Sequence, residues 1–384
     1  MIYLNIKNFK CFYETEIPLN NLTVFAGANG NGKSTAIQAM LFLRRTVEHC
    51  GKWENNRYDM NKLIGLNVEL NGPYCLNLGN SAYIITADSG ADTIYLGISD
   101  KNNEFKVTYS INKGNELWLT PVDPLVNNFP DNPFYYQEFY YLNAERIGPR
   151  VSQEIKFHDY YNVGYKGEYT AQIISNLNYN FKVAEKRINN DFLKGNRFEH
   201  HVNSWLNYIL PNVSISPFYD EKTHTARFEV ENSFSRGNPV VPTNTGFGIS
   251  YILPIIVSGL IARPDRFLIV ENPEAHLHPS AQSKIGYFLG VIANAGVRVL
   301  LETHSDHVIN GLQLAVAEKK INNNSVTINY FDSNIHTGSE RLNSQPEVKP
   351  INISEKGELT DWPKGFFDQS QIDYSLLLKQ RKNV

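Results

Sequence analysis

The run Gly27-Ala28-Asn29-Gly30-Asn31-Gly32-Lys33-Ser34-Thr35 has the spacing G-x-x-x-x-G-K-[ST], and its chemistry is phosphate binding. Glycines let the backbone curl until successive N–H groups point at one centre, and the positive end of a following helix adds to the pull on an anion. Lys33 supplies a charge for β and γ phosphate oxygens, and Ser34 places a hydroxyl on the Mg²⁺ that bridges them. Asn29, Gly30, Asn31, Gly32, Lys33, Ser34 and Thr35 are therefore the candidate nucleotide contacts, with ATP and Mg²⁺ as the implied ligands. By chance the bare pattern arises in about one per cent of chains of this length. The flanks sharpen it: Leu22 to Ala26 reads as a buried strand, and Thr35 to His49 as a helix with apolar Ile37, Met40, Leu41 and Val47.

Two further strands end in groups suited to such a site. Arg266 to Glu271 is an apolar run closing on a carboxylate, which a buried strand delivers beside the phosphate loop, where Mg²⁺ sits. Gly296 to Glu302 is another, closing on Thr303-His304-Ser305, from which His304 can reach a γ-phosphate. Upstream, Thr245-Gly246-Phe247-Gly248-Ile249-Ser250 opens a helix, and glycines followed by serine at a helix start form a second anion site. His276, His278, His304 and His307 lack the cysteine or H-E-x-x-H frame of a zinc site.

The elements that must position these groups are dispersed. At 384 residues the chain exceeds one ordinary core, so two lobes or a core with a large insertion is expected. Ile2 to Ile6 and Tyr13 to Ile17 read as antiparallel strands. Residues 63–122 read as a β-rich stretch that includes Tyr83 to Thr86 and Thr93 to Leu96, and Pro121 to Pro133 as a loop. Residues 165–210 read as helical, with Val183, Ile188 and Phe192 on an apolar face and Lys182, Lys186, Arg187, Lys194 and Arg197 as solvated surface in preference to a nucleic-acid or partner contact. Tyr135, Tyr136, Tyr140 and Tyr141 read as strand packing in place of a base-stacking platform. The expected division is 1–150 for the β lobe and phosphate loop, 151–235 for a mainly helical insertion, and 236–384 for the second half of the nucleotide domain.

Composition narrows the partners. A net charge of −3 gives no global attraction to nucleic acid or anionic membrane, so any DNA contact needs a local patch. Cys11, Cys50 and Cys75 are odd in number and unpaired by motif, which fits a reducing cytoplasm. Tyr251 to Ala262, the best apolar stretch, is too short to span a bilayer, and Met1 leads straight into a strand pattern without a leader.

Asn8-Phe9-Lys10-Cys11-Phe12, Val270 to Pro279 and Glu302 to Ser305 together resemble the SMC/RecF/Rad50-like branch of the ABC-type P-loop ATPases. More closely, the chain is similar to the prokaryotic OLD-like (overcoming-lysogenisation-defect-like) ATPases, and Trp362 to Asp368 is similar to the C-terminal segment of one of their subgroups. The resemblance implies an α/β fold: an ABC-type core with a mixed sheet, flanking helices, an antiparallel β lobe and a helical insertion. It makes Gly27 to Thr35 the Walker A loop, Glu271 the Walker B acid ligating Mg²⁺ with Ser34, and His304 the switch histidine. Ala275 to His278 would be the D-loop, with a Q-loop near Asn143 to Arg150. Thr245, Gly246, Gly248 and Ser250 become a signature that contacts the nucleotide of a facing subunit. It further implies a head-to-tail homodimer or higher oligomer, and ATP hydrolysis in antiviral defence or DNA maintenance with a separate nuclease-type effector. Two departures stand out. Asn272 occupies the usual place of the catalytic glutamate, leaving Glu271, Glu274 and His304 as the candidate catalytic set; either Glu274 activates water or binding does most of the switching. The Toprim nuclease domain of OLD proteins has no counterpart before Val384. Rival readings are a DNA nuclease in its own right, a non-hydrolysing nucleotide-bound scaffold, and a transporter ATPase, the last disfavoured by the size of the insertion.

Overall fold

In the computed structural model, alternation along the apolar strands at the centre of the chain sends side chains into two different cores. The structure describes residues 1–61, 67–111, 114–333, 345–363, 366 and 368–381. In chain order the principal elements begin with β1 (Ile2–Phe9), β2 (Phe12–Leu19), β3 (Leu22–Gly27) and α1 (Lys33–Cys50). Next come β4 (Thr93–Ser99), β5 (Glu104–Ser110), β6 (Trp118–Asn127) and β7 (Tyr140–Leu142). α2 (Thr170–Leu177), α3 (Phe198–Ile209), β8 (Ser214–Asp220) and β9 (Thr225–Glu231) follow, then α4 (Phe247–Ile261), β10 (Phe267–Glu271) and α5 (Pro279–Asn294). β11 (Arg298–Glu302), α6 (Asp306–Ala317), β12 (Val326–Asp332), β13 (Glu347–Ile351) and α7 (Gln369–Arg381) complete the chain.

The central sheet has the order β7-β10-β11-β3-β12-β13, with parallel pairing throughout except at β13. Such parallel strands are covered on both faces. Phe25, Phe267, Ile269 and Leu300 face a core shared with α1, whereas Leu22, Val24, Leu268, Val270, Val299 and Leu301 face the helices α2 to α6. A second, antiparallel sheet runs β2-β1-β4-β5-β6 with Val68–Glu69 at its edge, and its Leu4, Ile6, Leu96, Ile98 and Val107 pack in the same core as α1. The helix after the phosphate loop therefore lies between two sheets. Buried Arg44 of α1 donates to the carbonyls of Phe134, Tyr136 and Gln137, tying the approach to β7 onto that helix.

Several local expectations change. Tyr83 to Thr86 is not a strand: Asn80 accepts from the Ala82 N–H and caps one helical turn, Ser81–Ile84. The expected loop from Pro121 is in part the strand β6, whose pairing with β5 shifts register between Lys106 and Thr108. Between α2 and α3 only Glu185–Arg187 forms a helical turn, so Val183, Ile188 and Phe192 do not share a helix. Arg187 is buried: its guanidinium donates to the carbonyls of Gly259, Leu260 and Ala262 at the end of α4, and its own carbonyl accepts from the Trp205 indole. It is therefore a cap for α4 and no part of a charged surface. Residues 151–235 hold α2 and α3 together with a three-stranded antiparallel sheet of Gln153–Glu154, β9 and β8. Lys364, Gly365 and Phe367 of the C-terminal motif lie outside the described residues. Among the described residues no helix is long and apolar enough to cross a membrane.

Candidate nucleotide site

The phosphate loop joins β3 to α1, with Ala28, Asn29 and Gly30 exposed at its tip. Gly27 has a φ of 134°, and a Cβ there would stand 2.3 Å from the Phe331 carbonyl oxygen of β12, so no other residue fits. That same carbonyl accepts from the Asn31 amide at 3.0 Å. Asn31 thus fastens the loop to β12. Lys33 donates to the carbonyls of Gly27 and Ala28, both at 2.9 Å. Burial pulls its ammonium pKa down, opposed by the Glu302 and Glu274 carboxylates. Lys33, Glu274 and Glu302 are therefore electrostatic neighbours around one point, at the start of α1.

The carboxylates divide differently from the sequence expectation. Ser34 Oγ donates to Glu302, at 3.1 Å from Oε1 and 3.4 Å from Oε2, and not to Glu271. Strand order explains it: β11 separates β10 from β3, and Glu302 sits in register with Phe25 on one side and Glu271 on the other. Burial first, then the Glu271 charge, pushes the Glu302 carboxyl up to about 7, against the pull of Lys33 and Ser34. Glu271 is engaged elsewhere: Oε1 accepts from the Tyr141 hydroxyl at 2.8 Å and Oε2 from the Ala144 N–H at 3.4 Å. Burial raises its pKa as well. Buried Glu302 beside the Ser34 hydroxyl forms a hard, oxygen-rich and negative pair, which fits Mg²⁺. Glu302 and Tyr141 were not among the sequence candidates. The signal for Glu302 was present, since it ends a buried strand just as Glu271 does.

Glu274 and His304 are brought together. Glu274 Oε2 accepts from Thr303 Oγ1 and Oε1 from the His304 N–H, both at 2.8 Å. Burial and Lys33 lower the His304 pKa, against Glu274. The turn between Glu271 and Glu274 is held by Arg146, whose guanidinium donates to the carbonyls of Glu271 at 2.7 Å, Asn272 at 2.6 Å and Asn143 at 3.1 Å. Asn272 has a φ of 44°, a left-handed backbone that Asn adopts more readily than Glu. Asn272 thus meets a demand of the turn.

The candidate signature opens α4. Gly246 caps it, and a Cβ at Gly246 would meet nothing within 4 Å. Thr245 Oγ1 is spent on the Pro242 carbonyl at 2.8 Å. Ser250 is only 8% exposed, and its hydroxyl is buried without a hydrogen-bond partner. Half-exposed Phe247 stacks on His276 with centroids 5.0 Å apart, and Tyr251 meets the same imidazole at 4.5 Å. The start of α4 and the loop after β10 are therefore packed as one piece.

A phosphate loop on β3, an acid-tipped β10 two strands away and a histidine loop after the strand between them define an ABC-type P-loop ATPase fold with a nucleotide site. Residues 22–310 match the family described as "AAA domain, putative AbiEii toxin, Type IV TA system", and the chain belongs to that family. Residues 321–377 match a second family, described as "Protein of unknown function (DUF3696)". None of the curated proteins gives a significant match. Among solved structures, the chain is similar to an Smc head bound to the C-winged helix domain of ScpA, at 11% identity over 92% of this chain and 98% of that one, with a TM-score of 0.51. An SMC head domain from Thermotoga maritima shares 10% identity over 91% and 98%, with a TM-score of 0.42. An Smc head with an extended coiled coil from Pyrococcus furiosus, bound to the C-terminal domain of ScpA, shares 12% over 92% and 97%, with a TM-score of 0.47. The first of these likenesses supports the fold assignment.

Proposed function

We propose that the protein is an ATP-hydrolysing molecular switch of the OLD-like branch, two copies of which close head-to-tail on ATP and release after hydrolysis. The observation that carries this reading is the Glu274 carboxylate, anchored at both oxygens to the Thr303–His304 loop within electrostatic range of Lys33. A carboxylate oxygen has lone pairs beyond the one each anchor uses, so Glu274 can still take a proton from water attacking a γ-phosphate. His304 lies on the same loop and would sense that phosphate. Lys33 and the loop N–H groups hold the phosphates in line. Bound Mg²⁺ would neutralise charge developing on their oxygens. The family description, which names a putative toxin of a Type IV TA system, supports a defence setting. A protein effector as partner is supported by the ScpA domain bound to the similar Smc head.

The test is Glu274→Gln. The variant should bind ATP as the wild type does, accumulate as an ATP-dependent dimer in sedimentation, and release phosphate ~10²-fold more slowly, the range for loss of a general base. Phosphate release at the wild-type rate refutes the assignment of Glu274 as the base.

A further inference from the structure

We propose that Glu302, together with Ser34, is the carboxylate that meets the metal ion of the nucleotide site, and that Glu271 instead secures the loop after β7. This rests on the nucleotide reading above and says which of two acids the ion meets. Neighbouring strands lie about 4.8 Å apart, so Glu302 on β11 is one strand from the phosphate loop and Glu271 on β10 is two. Ser34, the loop's own metal-binding hydroxyl, already lies within hydrogen-bond distance of both Glu302 oxygens. An ion held by Ser34 is thus within reach of Glu302 without rearrangement of the sheet.

The two acids also differ in what satisfies them. Each oxygen of Glu271 has a neutral donor on the loop after β7, the Tyr141 hydroxyl and the Ala144 N–H. Tyr141 is in turn bonded by the Asn143 amide at 2.8 Å. These bonds hold the Glu271 carboxylate on the β7 side of the sheet. Among the described residues Glu302, 4% exposed, has only the Ser34 hydroxyl as a hydrogen-bond donor and no cation in ion-pair contact, Lys33 acting on it from beyond that range. A carboxylate buried with so little compensation is costly unless a positive partner arrives. A divalent ion at Ser34 is such a partner, since Mg²⁺ in nucleotide sites takes one or two protein carboxylates along with the phosphates.

Glu302→Gln preserves shape and removes the charge; Glu302→Asp keeps the charge but withdraws it by one methylene. Mn²⁺ serves as a paramagnetic probe, titrated by electron paramagnetic resonance into protein saturated with a non-hydrolysable ATP analogue. Calorimetry in chelator then reads nucleotide affinity without metal. Glu302→Gln should weaken Mn²⁺ about tenfold or more, as expected for loss of a charged contact, with metal-free nucleotide affinity unchanged. Glu302→Asp should fall between, and Glu271→Gln should hold Mn²⁺ as tightly as the wild type. Wild-type Mn²⁺ affinity in Glu302→Gln, or an equal loss in Glu271→Gln, overturns the proposal while leaving the nucleotide site standing. Wild-type protein that binds no analogue with or without metal overturns the nucleotide reading itself. Thermal melts of each variant confirm folding, and Glu302→Asp carries the test if Glu302→Gln does not fold.

Discussion

Replacing Arg146 by Met removes a charge from the interior and leaves three carbonyl oxygens without their donor. The two effects oppose each other. Burial, opposed by Tyr251, Glu274, Glu271 and Tyr141, lowers the Arg146 pKa from 12.5 to about 10, a net electrostatic cost on the order of 3 kcal/mol at 1.36 kcal/mol per unit. Against it stand bonds to the carbonyls of Glu271, Asn272 and Asn143. Charge-assisted bonds are worth roughly 1.5–3 kcal/mol each, together about 4–9 kcal/mol before allowance for non-additivity. The bonds win. Arg146→Met should lower stability by about 2–3 kcal/mol, seen as a lower urea midpoint at unchanged slope. Because those carbonyls form the turn before Glu274, phosphate release should fall more steeply than the loss of folded protein explains. Arg146→Lys should rescue little, since one ammonium cannot span three carbonyls as a guanidinium fork does. A midpoint within error of the wild type would refute the claim that the bonds outweigh desolvation.

Gly246→Arg should fold and bind ATP as a single chain, because a side chain at Gly246 meets only open space. It should weaken ATP-dependent association at least about tenfold if a facing subunit docks there; wild-type association by sedimentation with a non-hydrolysable analogue would refute the signature role. His201 is buried on α3, and burial, then His200, lowers its pKa below 6.5. The unfolded chain therefore takes up this proton first, and stability falls as pH drops through 6.5. His201→Leu should lose less stability than the wild type between about pH 7.5 and about pH 5.5, and parallel losses by urea denaturation would refute it.

How much of this was legible depends on how local the signal is. The phosphate loop and its flanking β3 and α1 follow from contiguous residues, and the apolar runs ending at Glu271 and Glu302 follow from their own patterns. What each carboxylate touches does not, because the Ser34–Glu302 bond spans 268 positions and depends on β11 lying between β10 and β3. Tyr141 illustrates the same limit. Its ring packs as aromatics in strands do, but its hydroxyl serves Glu271 from 130 residues away. At Tyr83 to Thr86 the single cap at Asn80 overrides a β-branched and aromatic run, and at Arg187 a surface-like composition conceals a tertiary partner in α4. Propensity is a weak prior where a cap or a distant carbonyl decides.

The position of β3 also governs how the protein is made. Its two neighbours, β11 and β12, begin at Arg298 and Val326, so both edges of Leu22–Gly27 are without their native partners until most of the chain has left the ribosome. At translation rates of roughly 5–20 residues per second, that interval is on the order of 15–55 s. Throughout it Leu22, Val24 and Phe25, buried in the finished fold, are apolar residues without their strand partners. Completion of the phosphate loop comes later still, since Gly27 and Asn31 are seated against Phe331. The β12 anchor of the loop therefore exists only once synthesis has passed Phe331.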